Sequence, residues 1–524
     1  MLDKVSIIVY NRYNHNFTEV YLMKHLIRIL TALLAIIMLL PAAVSCANTN
    51  DPEQTTDNAT TTAPAGQEGP APTEAPEETL FAISEIPEDL KFDGEVIKFL
   101  YWNDRENPEF FVEDTNGESV NDAIYKRNER VQEQFAITLE FTGTPGNYNN
   151  QKAFINTCTN STQSGTDAHD FFCGYSMTGA TLMTQGLAQD LTQYEIVEFD
   201  KPWWPSTLIE KATIKDGIYF VSGDISTNYL YMMYGCVFNK DMFTDVTTLE
   251  FNTLYDLAYE NKWTLDKLIE YSTGGFLEQN GDGVASQGDR FGFVTINIHF
   301  DSFYTAADLY TVVTDSNDSI MLSEDLSSDK TAALLAKLCG FIHGSGDVWI
   351  KNSADIFANN QAIFTIDRVQ ITNKKLKDVD FNYGILPVPM YNEDQEGYRT
   401  CMAFPFTTYV LSTASTHSEA AAATLELMAY QSYLNITPAL FEESMKLRYS
   451  DQSDDSFMFD KIRESVVIDL GRLLTTQVNN LSYSIFRSAV NDNSVDAWGS
   501  LLKANLRLFN SRVESVAKAI DNLG

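Results

Sequence analysis

The sequence predicts an α/β fold in two lobes, with a hinge and a cleft between them, on three observations. A chain of 524 residues is longer than the roughly 250 to 300 residues at which a single hydrophobic core stops growing. Its folded part opens with a strand, an amphipathic helix and a second strand, the βαβ signature of a largely parallel sheet. Two strand-like runs within 201–240 then meet at a polar joint, 222–228, as when a chain passes from one lobe to another.

Taken in order, the chain begins with residues 1–22, which fit no targeting pattern and precede a complete export signal, so Met23 is read as the true start. Residues 23–45 carry basic Lys24 and Arg28, an apolar run from 29 to 40 and small residues before Cys46, the three parts of a signal peptide. The apolar run is shorter than the ~20 residues of a membrane span. Cys46 directly after small residues reads as a lipidation site, although Ala43 stands where leucine is commonest. From Ala47 to Thr79 there is no Val, Ile, Leu, Met, Phe, Tyr or Trp. Such a segment buries too little to offset its ordering entropy, so 46–91 is expected to be a disordered acidic tether.

In the body, 95–101 reads as a strand, 119–135 as a helix with Val120, Ile124, Val131 and Phe135 on one face, and 137–141 and 170–173 as further strands. The run 217–221 suits a short strand. The run 229–238 alternates Tyr229, Tyr231 and Met233 against Leu230, Met232 and Tyr234, apolar on both faces, and is expected to be an inner strand. Thr264 is placed as the N-cap of a helix stapled by Trp263 and Leu268. Strands follow at 291–296, 362–366, 382–389 and 402–411, helices at 331–342 and 419–430, and a docked amphipathic tail from 494 with Trp498, Leu502, Phe509, Val513, Val516 and Ile520 on one face.

Several words of this sequence are similar to one family: KPWW near 201, DGIYFVSGDIS, VFNKDMF, KWTLDKL, NGDGVASQGDRFGF, FANNQAIFTI and FNYGILPVP. The chain resembles the extracellular solute-binding proteins of bacterial ABC importers, of the oligosaccharide-binding type kept as lipoproteins by Gram-positive bacteria. The resemblance covers about 92–523 and implies a type II periplasmic-binding-protein-like fold. Lobe 1 would hold 92–225 and 395–445, lobe 2 226–394 and 446–524. It further implies a monomer on the outer face of the cell membrane, an oligosaccharide or similar polar solute, delivery to ABC permease subunits, and no required cofactor.

Ligands of open α/β sheets collect beyond the carboxyl ends of the strands. That rule selects Trp102, Asn103, Tyr175, Asp224, Ser226, His299, Asp301, Asp367 and Arg368 as ligand-binding candidates, a mixture of flat rings for sugar faces and of carboxylate, amide and guanidinium groups for hydroxyls. Of the neighbours Trp203 and Trp204, Trp203 is a candidate cleft residue and core packing of both is the alternative. A loop from Glu278 to Asp289 places Glu278, Asn280, Asp282, Val284, Ser286 and Asp289 at the ligand spacing of a calcium loop with Gly283 at its sixth position, though Glu and Asp are exchanged at its ends; the other reading is a tight turn.

With 36 basic against 72 acidic residues the formal charge is −36, which argues against nucleic acid, whose binding rests on neutralising phosphates. Apart from Cys46, Cys158, Cys173, Cys236, Cys339 and Cys401 have no paired spacing and read as buried thiols. There is no GxSxG, HExxH or GxxxxGK[ST]. A glycan-active enzyme using Asp224 and Asp367 as paired carboxylates is the alternative function.

Overall fold

The computed structural model describes residues 83–164, 169–315, 319–446 and 453–521. The leader 1–22, the signal 23–45, Cys46 and all but the last residues of the tether lie outside the described residues. The end of that tether belongs to the body: Ser84 Oγ and the Glu85 amide both donate to Glu198 Oε2 at 3.0 Å, and Ile86 and Leu90 pack on the core. Among the described residues no helix is long and apolar enough to cross a membrane.

Strands run in chain order as β1 (Val96–Trp102), β2 (Thr138–Thr144), β3 (Phe171–Tyr175), β4 (Thr213–Ile214), β5 (Gly217–Ile218), β6 (Tyr234–Asn239), β7 (Phe291–Val294), β8 (Val312–Thr314), β9 (Ile320–Leu322), β10 (Val348–Trp349), β11 (Ala362–Arg368), β12 (Tyr383–Leu386) and β13 (Thr407–Leu411). Two sheets form the body: a four-stranded one ordered β13-β3-β1-β2 and a five-stranded one ordered β10-β7-β11-β6-β12. In the first, β1 lies parallel to β2 and β3, and β13 closes the edge antiparallel to β3. The register puts Phe99 opposite both Phe141 and Phe171. Their rings stack at 5.0 and 4.8 Å, a cross-strand ladder that fixes this register.

The helix Ser119–Phe135 has the bounds that its apolar spacing predicts and ends where Ala136 turns left-handed. It also buries Arg127, which no apolar period anticipates. The tail helix Trp498–Asp521 buries the six residues expected of it. It packs against β9 and the helix Thr178–Thr184, with Asp521 paired to Lys215 at 2.9 Å.

Around the joint the expectations need correcting. Only Gly217 and Ile218 pair as a strand, in a hairpin with β4, while Val221 makes a single bridge to Tyr409. The run 229–238 is not one strand: Thr227–Tyr231 is a short helix, and β6 begins at Tyr234. Alternation carries no signal where every residue from 227 to 239 is buried. The deciding feature is Ser226, whose hydroxyl accepts the Tyr229 amide at 3.1 Å and starts the helix. Thr264 stands at its N-cap position before Leu265–Ser272 without a side-chain cap bond; there the backbone is tied instead, Leu265 N donating to Met390 O at 2.7 Å. Gly223 is required by close approach, since a Cβ there would lie 2.4 Å from the Trp203 carbonyl oxygen.

Candidate functional site

The two sheets present strand ends to each other. From the four-stranded lobe come Trp102 and Asn103 at the end of β1, Glu106 four residues on, and Tyr175 and Ser176 at the end of β3. From the five-stranded lobe come Asp367 and Arg368, the last residues of β11, with His299 and Asp301 at the head of the helix Phe300–Ala306. Arg368 Nη1 donates to both oxygens of Glu106 at 3.1 and 3.2 Å, and Gln370 Nε2 donates to Glu106 Oε2 at 2.7 Å. Burial works against the Arg368 charge, but Glu106 and Asp367 more than offset it, so the guanidinium is held above its ordinary value. Burial, and then the field of Glu106, raises the Tyr175 phenol, with Arg472 and Arg368 pulling the other way. Tyr175 is thus within electrostatic reach of groups from both lobes.

A second cluster closes the same face. Asp301 receives Arg472 Nη1 at 3.0 Å and Arg487 Nε at 2.8 Å, and Arg487 Nη2 as well. Arg472 lies 4.0 Å over the ring of Phe404 and donates to the Met402 carbonyl. Beside them a pocket is lined by Ser176, Met402, Phe404, Phe406, Asp469 and Arg472, among others. His299 is buried between Tyr234 and Asp367, its Nε2 3.8 Å from Asp367 Oδ1. Burial pushes it down to about 4, so it is neutral near pH 7.

The structure therefore brings Tyr175, His299, Asp301, Asp367 and Arg368 into one region. Trp102 borders it as a buried ring, edge-on to Tyr175 at 5.5 Å, its indole donating to Thr407 Oγ1 at 2.8 Å. Asn103 is exposed next to it. Three candidates lie elsewhere. Asp224 is buried, accepting Arg463 Nη2 at 2.7 and 2.8 Å and Thr437 Oγ1 at 2.8 Å; burial raises its carboxyl and Arg463 offsets part of that rise. Ser226 is a fully buried helix cap. Trp203 and Trp204 are both core, because they sit in a turn rather than an extended segment, and their indoles donate to the two oxygens of Glu426 at 2.7 and 2.8 Å. Glu106, Arg472 and Arg487 escaped the strand-end rule because the first lies in a loop and the other two in the short helices Leu470–Leu473 and Phe486–Asn491.

In the loop that carries the calcium spacing, side-chain oxygens face the loop's own amides. Glu278 Oε1 accepts from Gly281 and Asp282 at 2.5 and 3.1 Å, Asn280 Oδ1 from Asp282 at 3.0 Å, and Asp282 Oδ1 from Val284 at 2.8 Å. Asp289 accepts from the Gln279 and Ser286 amides at 2.9 and 2.7 Å, and those amides hold its carboxyl below the usual range. Among the described residues no group of three or more His, Cys, Asp or Glu converges to hold a metal ion. The five described cysteines are free and buried.

No protein-family model and no curated protein matches the sequence. Solved structures do match. A cyclic α-maltosyl-1,6-maltose binding protein from Arthrobacter globiformis aligns over 81% of this chain and 99% of its own, at a TM-score of 0.55 and 14% identity. A cyclo/maltodextrin-binding protein complexed with maltotetraose aligns over 82% and 98%, at 0.51 and 12%. The fold is that of a two-lobed solute-binding protein. In this solute-binding fold the region between β1, β3 and β11 is where the lobes meet, and the Glu106 to Arg368 contact is made from lobe to lobe.

Proposed function

We propose that the chain is the substrate-binding protein of an ABC importer, which takes an oligosaccharide between its lobes and hands it to a permease. The observation that carries this reading is the fold match along most of the chain to proteins described as binding maltose-type oligosaccharides. The site chemistry supports it: Phe404 supplies partly exposed flat apolar surface, and Arg368, Asp367, Asp301 and Glu106 supply fixed donors and acceptors for hydroxyls. The signal before Cys46 and the apolar-poor segment after it support a lipid anchor on the outer face of the membrane. A structural calcium ion in the loop from Glu278 to Asp289 rests on donor spacing alone.

The enzyme alternative loses its pair. Asp224 is spent on Arg463 and Thr437, whereas Asp367 lies with His299 and Arg368. A thermal-shift screen of maltotetraose, other neutral oligosaccharides, peptides and polyols tests the binding reading. A sugar that binds only the native state raises the melting temperature by mass action. Release of cleaved sugar, or a shift with peptides alone, would overturn it. For the anchor, Cys46→Ala expressed in a Gram-positive host is expected in the medium; equal membrane retention of mutant and wild type would refute lipidation.

A further inference from the structure

The rings expected to line the cleft are largely buried, and the exposed aromatic surface of this face lies elsewhere. Tyr148 is 54% exposed, at the tip of the loop after β2. Large exposed rings are common enough singly, but this one stands on a loop held unusually firmly. Asp104 Oδ1 accepts the amides of Gly146 and Asn147 at 2.8 and 2.9 Å, and its Oδ2 accepts Asn150 Nδ2 at 2.9 Å. Asn147 Oδ1 accepts the amides of Asn149 and Asn150 at 3.0 and 3.3 Å. Gly146 is pressed on the core so closely that a Cβ there would lie 2.7 Å from both Trp102 Cβ and Phe154 Cδ2. Ordering a loop costs backbone entropy, and these bonds hold the ring in a fixed place.

Facing it is Tyr483, half-buried in the C-terminal segment, with the two hydroxyls 3.2 Å apart. Tyr483 is braced from behind: the Arg487 guanidinium lies 4.7 Å over its ring and Phe404 meets it edge-on at 5.7 Å. Phe404 also lines the inner pocket with Ser176 and Arg472. One ring thus connects the tyrosine pair to the pocket. Arg472 and Arg487 both already donate to Asp301.

Resting on the binding reading above, we propose that Tyr148 and Tyr483 take the outer ring of a bound neutral oligosaccharide at the mouth of the cleft, the rest of the sugar lying between the lobes toward Phe404 and Arg368. The apolar face of a pyranose covers a tyrosine ring, and its hydroxyls replace the bond that the two phenols make to each other. The pair therefore selects for chain length: a sugar too short to reach it gains nothing from it.

The test titrates full-length protein calorimetrically with maltotetraose and maltose, and with whichever neutral oligosaccharide gives the largest thermal shift. Tyr148→Ala and Tyr483→Ala are each expected to weaken the longer sugar about tenfold, from a ring contact worth ~1 kcal/mol or somewhat more, and to leave maltose within about twofold. Tyr148→Phe keeps the ring and is expected to bind within about twofold of wild type. Since Tyr148 is exposed, its variants should melt as wild type does. If wild type binds and the alanine variants bind equally well, the tyrosine site is wrong and the cleft reading stands. A loss in Tyr148→Phe as large as in Tyr148→Ala would show that the phenol bond matters and not the ring, which also overturns it. No binding of any neutral oligosaccharide by wild type would remove the reading beneath it and this inference together.

Discussion

Two networks in this molecule set carboxylates against arginines, one at the joint and one where the lobes face each other, and they are built differently. At the joint Glu109 accepts Asn228 Nδ2 at 2.6 Å and the Tyr409 hydroxyl at 2.7 Å; Arg127 donates to the Glu109 and Phe110 carbonyls at 2.9 Å; Asp224 holds Arg463. Asp224, Ser226, Thr227, Asn228, Glu109 and Arg127 are all essentially inaccessible. At the lobe face Glu106 is exposed and Arg368 partly so, and each reaches across from its own lobe. A buried carboxylate cannot exchange its partner without leaving a charge unpaired in a dry interior, so the joint network fixes the path of the chain. A half-exposed pair can trade its partner for water or for a solute hydroxyl at little cost. Residue type alone does not separate structure from function here; access to solvent does.

The largest expected effect comes from breaking the buried side. Asp224→Ala leaves Arg463 unpaired and is expected to cost about 3 kcal/mol or more of unfolding free energy, measured by denaturant titration, with sugar affinity of the folded fraction unchanged. A variant of normal stability that had lost its ligand would reverse the assignment of the two networks.

Titration of buried groups sharpens the same contrast. Burial lifts Glu426 from 4.5 to about 7, the indoles of Trp204 and Trp203 and the Glu198 amide offsetting only part of that. Its folded value lies above its unfolded one, so its contribution to stability is full below pH 4.5 and is lost as the pH rises through 7. His299 works oppositely: lowered from 6.5 to about 4, it favours the fold above pH 6.5, and that contribution is lost as the pH falls toward 4. The two windows overlap and have opposite sign, so in the wild type they largely cancel; melting temperatures of Glu426→Gln across pH 4 to 7 should therefore uncover the rise that His299 causes. The same pH profile in Glu426→Gln and wild type would mean that another group sets it.

At the lobe face the effects should be smaller and of another kind. Glu106→Gln and Arg368→Ala are each expected to change stability by no more than about 0.5 kcal/mol and to weaken maltotetraose up to about fivefold, because the contact between lobes is worth up to ~1 kcal/mol. Because each also offers a group to solute hydroxyls, the double variant should bind worse than either single one. A double variant that binds as well as a single one would mean that the two act only through their mutual contact. Smallest of all is the loop from Glu278 to Asp289, where amides already satisfy the carboxylates: melting in chelator and in added calcium should coincide. A calcium-dependent rise abolished by Asp282→Ala would restore the cation.

Where sequence and structure agree, one face of an element meets core and the other water, as in Ser119–Phe135 and Trp498–Asp521; the period is then visible. Around 227–239 everything is buried, alternation means nothing, and a serine cap decided between helix and strand. The strand-end rule put Tyr175, Asp367 and Arg368 at the lobe face because strand direction places them. It also selected Asp224, which is tied to Arg463, and the cleft reading of Trp203 overlooked its tie to Glu426; both partners lie more than two hundred residues away, a distance at which spacing carries no information.

The edge strand β13 has a consequence for how such a chain is made. All strands of the five-stranded sheet lie between 234 and 386, whereas the four-stranded sheet needs residues 407–411 to cover β3. A polypeptide that emerges amino end first can therefore finish its second sheet while the first still waits with a bare edge. Contacts of such long sequence separation form slowly, and an open edge is a template for pairing with other chains. The sheet that starts first is the last to gain all its strands, and the interval between the two is when a newly made copy is most exposed to aggregation and to proteases.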